Sequence, residues 1–356
     1  MTLASEESWL ARARRSALRR AADRGTLRSL EMLPPHASLR RYARASFDGL
    51  TEVVMLLPPP GAAPDEAGAA TVSRASDEPF LELQRWFLEL GVRVPALFDV
   101  DDAEGTIWLE DVGHTDFDAH LRVTGDLRTG YLTALATLGQ LQQATAAATS
   151  LPHLVSSRSF DAALLRWELD HYREWRLEQE LGLTLDADLR ARLDTAFDDL
   201  VAKVAAIPTA VMHRDFQSHN LMVLGDDLVV LDFQDAMTGP VVYDAVALLR
   251  DSYVEIPADL LTELVRHYAQ QAAALPALEG HDAATIERWF FLQTVQRKLK
   301  DSGRFVFIDR VKKNPNFLPF IPSSLRYVKD ALARLPELAE LAGLLAQVDP
   351  ALRDPA

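Results

Sequence analysis

The sequence predicts an α+β fold in two lobes, an N-terminal lobe built on an antiparallel sheet and a larger helical C-terminal lobe. Three observations carry this. Strand signals cluster before about residue 112, and runs of helical apolar spacing fill 114–206 and return beyond residue 240. At 356 residues the chain is long enough to divide its core between two domains, here placed at 1–112 and 113–356.

Residues 4–24 open the chain as a helix, with a stripe of Trp9, Leu10, Ala13, Ala17 and Ala21 and arginines at 12, 15, 19 and 20 that read as a solvated basic face. Three strands are expected over 26–33, 40–47 and 51–57, the last two joined by the tight turn Asp48-Gly49. Residues 58–76 are rich in Pro, Ala and Gly and read as a loop. A helix from 78 to 90 ends at Gly91, and strands over 94–100 and 106–109 flank the acidic turn 101–105. That turn fails the EF-hand pattern because its glycine comes one position early, so it reads as a plain hairpin. Helical spacing then marks 131–148, 160–181 and 187–206, and later 285–300, with Asp301-Ser302-Gly303 directly after it.

Composition excludes several classes. Hydrophobic residues at 48% and charged residues at 25% are ordinary globular values, and a net charge of −15 disfavours nonspecific nucleic-acid binding. Cysteine is absent, which removes disulfides and thiolate metal sites. The arginine-rich first 25 residues do not read as a secretory signal, and no apolar run approaches a membrane span. The expectation is a cytoplasmic protein with neither nucleic-acid nor membrane partners.

The chemistry concentrates in 211–235. An apolar run leads into His213-Arg214-Asp215, and Asn220 comes five residues after Asp215. Two short apolar runs then flank Gly225-Asp226-Asp227 as a hairpin, ending at Leu231-Asp232-Phe233-Gln234-Asp235. A hairpin folds away the distance between Asn220 and Asp232, so Asp215, Asn220 and Asp232 can converge. One carboxylate to take a proton, with an amide and a second carboxylate to hold magnesium on phosphate, is the set that phosphoryl transfer from ATP needs. His213 reads as a residue that orients the loop, and His219 as a solvated one. Asp244 either reaches back to the loop or caps the helix that begins near Ala245. Asp235 divides between an active-site and a structural role.

His-Arg-Asp, then Asn-Leu-Met-Val and Leu-Asp-Phe-Gln-Asp-Ala, resembles the catalytic segment of protein-kinase-like enzymes, in the form of the aminoglycoside and sugar phosphotransferases. With Gly239-Pro240, Tyr243-Asp244 and Gln296-Arg297-Lys298-Leu299-Lys300, it is similar to the bacterial anomeric sugar kinases, which act on N-acetylmuramate and N-acetylglucosamine. The resemblance implies Asp215 as catalytic base and Asn220 and Asp232 as magnesium ligands. It implies that Ser38, Arg40 and Arg41, in Ala-Ser-Leu-Arg-Arg-Tyr, meet the nucleotide phosphates. It makes 107–113 the hinge, where backbone around Glu110 and Val112 meets adenine. Asp235, Arg297 and Lys300 are expected at the sugar, although cations also favour a helix C-terminus. No lysine precedes Lys203, so the third-strand lysine of protein kinases is missing, and phosphate charge must be met by magnesium, by backbone amides, or by an arginine such as Arg40, Arg41 or Arg44. The rival readings are an aminoglycoside kinase, a choline or homoserine kinase, and a nucleotide-binding pseudokinase.

Overall fold

A computed structural model describes residues 3–34, 40–58 and 78–353. Ser38 and most of the Pro-, Ala- and Gly-rich stretch lie outside the described residues. Two compact units are present, one of residues 1–115 with 222–234 and one of 116–221 with 235–356.

The first unit begins with helix α1 (Leu3–Arg24), then strands β1 (Ser29–Met32), β2 (Arg41–Ser46) and β3 (Thr51–Leu56). Helix α2 (Glu78–Glu89) and strands β4 (Leu97–Asp101) and β5 (Thr106–Glu110) complete its first part. The strands form one antiparallel sheet in the order β1-β2-β3-β5-β4, with Ala43 opposite Val54 and Val54 opposite Trp108. Asp48-Gly49 makes the β2–β3 turn, where Gly49 takes φ +85° and Phe47 N–H donates to the Leu50 carbonyl at 2.9 Å. Most of the α1 stripe packs inward: Ala13 and Ala17 are fully buried in a cluster with Ala43, Ala45, Phe47, Val54, Leu56 and Trp108, and Trp9 and Ala21 pack against it, whereas Leu10 is 43% exposed.

The α1 arginines at 12, 15, 19 and 20 are ion-paired or hydrogen-bonded rather than free, although Arg15 and Arg19 keep about half of their side-chain surface exposed. Arg12 donates to the carbonyls of Leu57, Glu104 and Gly105 at 2.7–3.1 Å. Arg15 and Arg19 pair with Glu104 and Asp101 of the acidic turn, and buried Arg20 pairs with buried Glu52 on β3 at 2.8 Å. The two charge runs that looked like separate surface features are each other's partners.

The second unit contains α3 (Phe117–Thr124), α4 (Leu127–Ala147), the single turn α5 (His153–Ser156) and α6 (Ala162–His171). Helix α6 continues into a π-helix over Tyr172–Glu180, and α7 (Ala187–Ala205) leads to strand β6 (Thr209–Met212). A 3-10 turn, Ser218–Asn220, precedes the hairpin β7 (Leu221–Leu224) and β8 (Asp227–Val230), most of which belongs to the first unit. There Val223 and Val230 N–H groups donate to the carbonyls of Thr115 and Arg93 at 2.9 and 2.8 Å. After a 3-10 turn, Phe233–Asp235, come β9 (Met237–Pro240), α8 (Tyr243–Leu249), α9 (Ala258–Ala272), α10 (Ala283–Lys312), α11 (Ile321–Leu332) and α12 (Ala339–Val348).

Helix α10 is the axis of the second unit and packs against α6, the π-helix, α7, α8, α9 and α11. The expected end near Lys300 is not there, because the helix runs on to Lys312 and ends at Lys313 with φ +57°. Gly303 is a packing residue rather than a terminator: a Cβ there would lie 2.2 Å from the His171 carbonyl oxygen. Arg297 and Lys300 are therefore mid-helix residues, and the attraction of cations to a helix end does not account for them. Among the described residues, no helix is long and apolar enough to cross a membrane.

Candidate active site

Strand β6 carries the chain into the loop, pairing antiparallel with β9 so that Met212 faces Met237. His213, 1% exposed, comes next, its Nδ1 accepting from Asp215 N–H at 3.3 Å and its ring standing edge-on to Phe216. That is the orienting role expected of it. Arg214 takes φ +81°, a left-handed conformation that costs a side-chain-bearing residue roughly 1–2 kcal/mol. Asp244 answers the question its position raised. Although it lies in the first turn of α8, its two carboxylate oxygens accept from His213 N–H at 2.6 Å and Arg214 N–H at 2.9 Å. It reaches back to the loop.

Asp215 stands beyond this strained residue with half of its side-chain surface open. Burial works to raise its carboxyl, but Arg297, Arg214 and Lys300 outweigh it and hold the group below the usual carboxylate range. It is ionised near neutrality and able to accept a proton. Its carbonyl accepts from the Asn220 side-chain amide at 2.9 Å, and the Ser218–Asn220 turn is held by Asp251, which accepts from Ser218 N–H at 2.8 Å and from its hydroxyl at 2.6 Å. The Asn220 amide nitrogen is thus committed to the backbone, and its oxygen is the atom left for a cation.

Asp232, in the first unit, lies just past β8 and takes φ +60°. Its side chain is exposed, with one oxygen accepting from Gln234 Nε2 at 2.8 Å and no donor on the other among the described residues. The next residue, Phe233, is stacked on Phe80 of α2 at 5.0 Å and edge-on to Phe87 at 5.7 Å. Asn220 in the second unit presents a neutral oxygen and Asp232 in the first an anionic one, each of the hard donor type that divalent cations such as magnesium take. Asp235 closes the next 3-10 turn and, against the opposing effect of burial, is with Asp215 and Glu168 one of the carboxylates that raise the Arg214 guanidinium. His219 is exposed and bonded to Asp116, whose other oxygen caps α3.

In the first unit, Arg40 is buried, with its guanidinium 5.8 Å from the Phe80 ring centre, and Arg41 donates to the Arg40 carbonyl at 3.0 Å. Arg44 is spoken for: it grips Asp111 with two bonds of 2.7 and 2.9 Å and donates to the Gly113 carbonyl. Glu110 is gripped in the same way by Arg93, which holds its carboxyl below the usual range, and Val112 is buried. The acidic side chains of 110–111 thus fix the shape of this segment.

On α10, Arg297 is 1% exposed and lies 4.6 Å over the Tyr243 ring. It donates to the Arg214 carbonyl at 3.2 Å and reaches an Asp215 carboxylate oxygen at 3.5 Å. Lys300 lies 3.0 Å from Asp301 and 4.0 Å from buried Glu168, whose other oxygen accepts from Gln296 at 3.1 Å. Asp251 and Glu168 were not foreseen, since nothing near them in sequence marks a residue whose partner is 30 to 130 positions away.

The sequence pattern of the phosphotransferase enzyme family matches residues 30–281. The chain is 33% identical over 317 residues to an N-acetylmuramate/N-acetylglucosamine kinase of Neisseria meningitidis serogroup B, covering 88% of each protein. It is 31% identical over 327 residues to a protein of the same name from Pseudomonas putida, covering 91% of this chain and 90% of that one. Among solved structures it resembles a choline kinase from Streptococcus pneumoniae, at a TM-score of 0.56 and 13% identity over 91% of this chain and 99% of the other. An ADP-bound aminoglycoside phosphotransferase superposes with a TM-score of 0.56 at 14% identity, covering 88% and 97% of the two chains. With the pattern over most of its length and relatives above 30% identity, the chain belongs to the phosphotransferase enzyme family and has its protein-kinase-like fold.

Proposed function

We propose that this protein is an ATP-dependent, magnesium-requiring kinase that phosphorylates the anomeric hydroxyl of N-acetylmuramate or N-acetylglucosamine in cell-wall recycling, in the cytoplasm. The observation that carries the chemistry is the immobilised catalytic loop, with an ionised Asp215 whose flanking backbone is held by Asp244 and Asn220. The relatives' names support the acceptor. In this reading Asp215 takes the proton of the acceptor hydroxyl as its oxygen bonds to the terminal phosphorus, and the bond from that phosphorus to the bridging oxygen breaks to release ADP. Asn220 and Asp232 hold magnesium, which when bound offsets phosphate charge. Ser38 and the Arg40–Arg41 pair meet the phosphates, and backbone at Glu110 and Val112 meets adenine, which makes 1–112 the nucleotide-binding lobe and 113–356 the catalytic one. Asp235 and Lys300 face the sugar.

The test is acceptor blocking. N-acetylglucosamine or N-acetylmuramate should be consumed with release of ADP, and the anomeric methyl glycoside of either should not. Turnover of the methyl glycoside at a comparable rate would move the transfer to another hydroxyl. Turnover of an aminoglycoside in its place would favour the resistance enzymes of the same family.

A further inference from the structure

Arg297 takes no part in the proton transfer itself, yet it is among the most buried charged side chains of the second unit. A guanidinium placed there must be held by specific partners, since an unpaired buried charge is costly. Asp301 and Glu168 help to hold its charge, and its two hydrogen-bond partners among the described residues flank one peptide. One nitrogen donates to the carbonyl of Arg214 at 3.2 Å, and another reaches Asp215 Oδ1 at 3.5 Å. The face of the group rests on Tyr243, 4.6 Å from the ring centre.

Arg214 is the residue with φ +81°. Its N–H is held by Asp244 at 2.9 Å and its carbonyl by Arg297, so the strained unit is clamped at both ends. Such a conformation persists only where its surroundings over-determine it. The direction in which Asp215 leaves the loop is set by that peptide. At 1% exposure Arg297 is also poorly placed to receive a substrate carboxylate, whereas the Lys300 side chain keeps 16% of its surface open. Tyr243 and Asp244 belong to α8 and Arg297 to α10, so two helices lock one loop residue from opposite sides.

We propose that Arg297 is the positioning residue of the catalytic loop: its guanidinium bridges the Arg214 carbonyl and the Asp215 carboxylate and fixes where the base points. This rests on the reading of Asp215 as the base. A lysine keeps the charge but cannot span both acceptors, because its ammonium is a point donor where the guanidinium is a fork. The carboxylate contact is long for a charged hydrogen bond, and bonds of this kind tighten when the acceptor is bound.

The test is a double-mutant cycle on the whole protein with N-acetylglucosamine and ATP, using Asp215→Asn, Arg297→Lys and the pair. Asp215→Asn should lower kcat by roughly 10²–10⁴-fold. Arg297→Lys should lower kcat by about 10–10²-fold with both KM values within about twofold, the signature of misplacing a reacting group. In the pair, Arg297→Lys should add little to the loss from Asp215→Asn, because it acts through that carboxylate. If Arg297→Lys does not fold by circular dichroism, Arg297→Gln, which keeps an uncharged N–H donor that stops two bonds short of the guanidinium nitrogens, takes its place in the cycle. A raised acceptor KM with kcat retained, or a loss that multiplies in the pair, would overturn the positioning role and leave Asp215 as the base. Wild-type turnover in Asp215→Asn would instead overturn the base itself.

Discussion

Among the described residues, three other than glycine take a positive φ, and two of them, Arg214 and Asp232, lie in the segment proposed to carry the chemistry. At Asp232 this decides which substitution is informative. Alanine would remove the carboxylate and also add strain at φ +60°, whereas asparagine tolerates the left-handed region and keeps the shape. Asp232→Asn should therefore melt within a few degrees of the wild type while magnesium-dependent turnover falls at least about tenfold, since one anionic ligand is lost. Unchanged turnover would remove Asp232 from the metal. Spacing made Asp215, Asn220 and Asp232 legible as oxygen donors in sequence, and the reach of Asp244 was one of two readings it allowed. The clamp on Arg214 was not legible. Its parts, Asp244 and Arg297, lie about 30 and 80 positions away, and a buried arginine writes the same letter as a solvated one.

Element by element, periodicity placed the strands and the hairpin within three residues and misjudged the chain beyond Lys300. Asp-Ser-Gly reads as a stop because glycine is common just past a helix end. In α10 the same glycine sits where the helix meets the junction of α6 and the π-helix. Gly303→Ala would place a carbon 2.2 Å from the His171 carbonyl oxygen, backbone that cannot swing aside. The helix preference of alanine is worth only ~1 kcal/mol, against overpacking of about 1–3 kcal/mol or more. The variant should therefore unfold at lower denaturant with an unchanged m-value; equal or greater stability would show that α6 can shift aside. The π-helix was also hidden. Leu181 N–H bonds to the Arg176 carbonyl five residues back, while Arg176 grips buried Asp349 with bonds of 2.9 and 3.0 Å. That tie to the chain's far end is tertiary, and no local pattern encodes it.

For the whole molecule, strand and helix content along the sequence does not reveal that 222–234 comes back to group with the first unit. The return is sealed by Phe233, 1% exposed against Phe80 and Phe87. Phe233→Ala should cost about 3–5 kcal/mol, and hydrogen exchange should show the loss as faster exchange in α2 and β5. Unaltered protection there would mean the first unit stands without this contact. The same return has a consequence for synthesis on the ribosome. Residues 1–115 emerge first, yet Phe80 and Phe87 are not covered by Phe233 until all of 116–221 has been made. At roughly 5–20 residues per second, the nascent first unit spends several seconds with that aromatic surface bare. That interval, rather than the finished fold, is when this surface is open to aggregation or to capture by a chaperone.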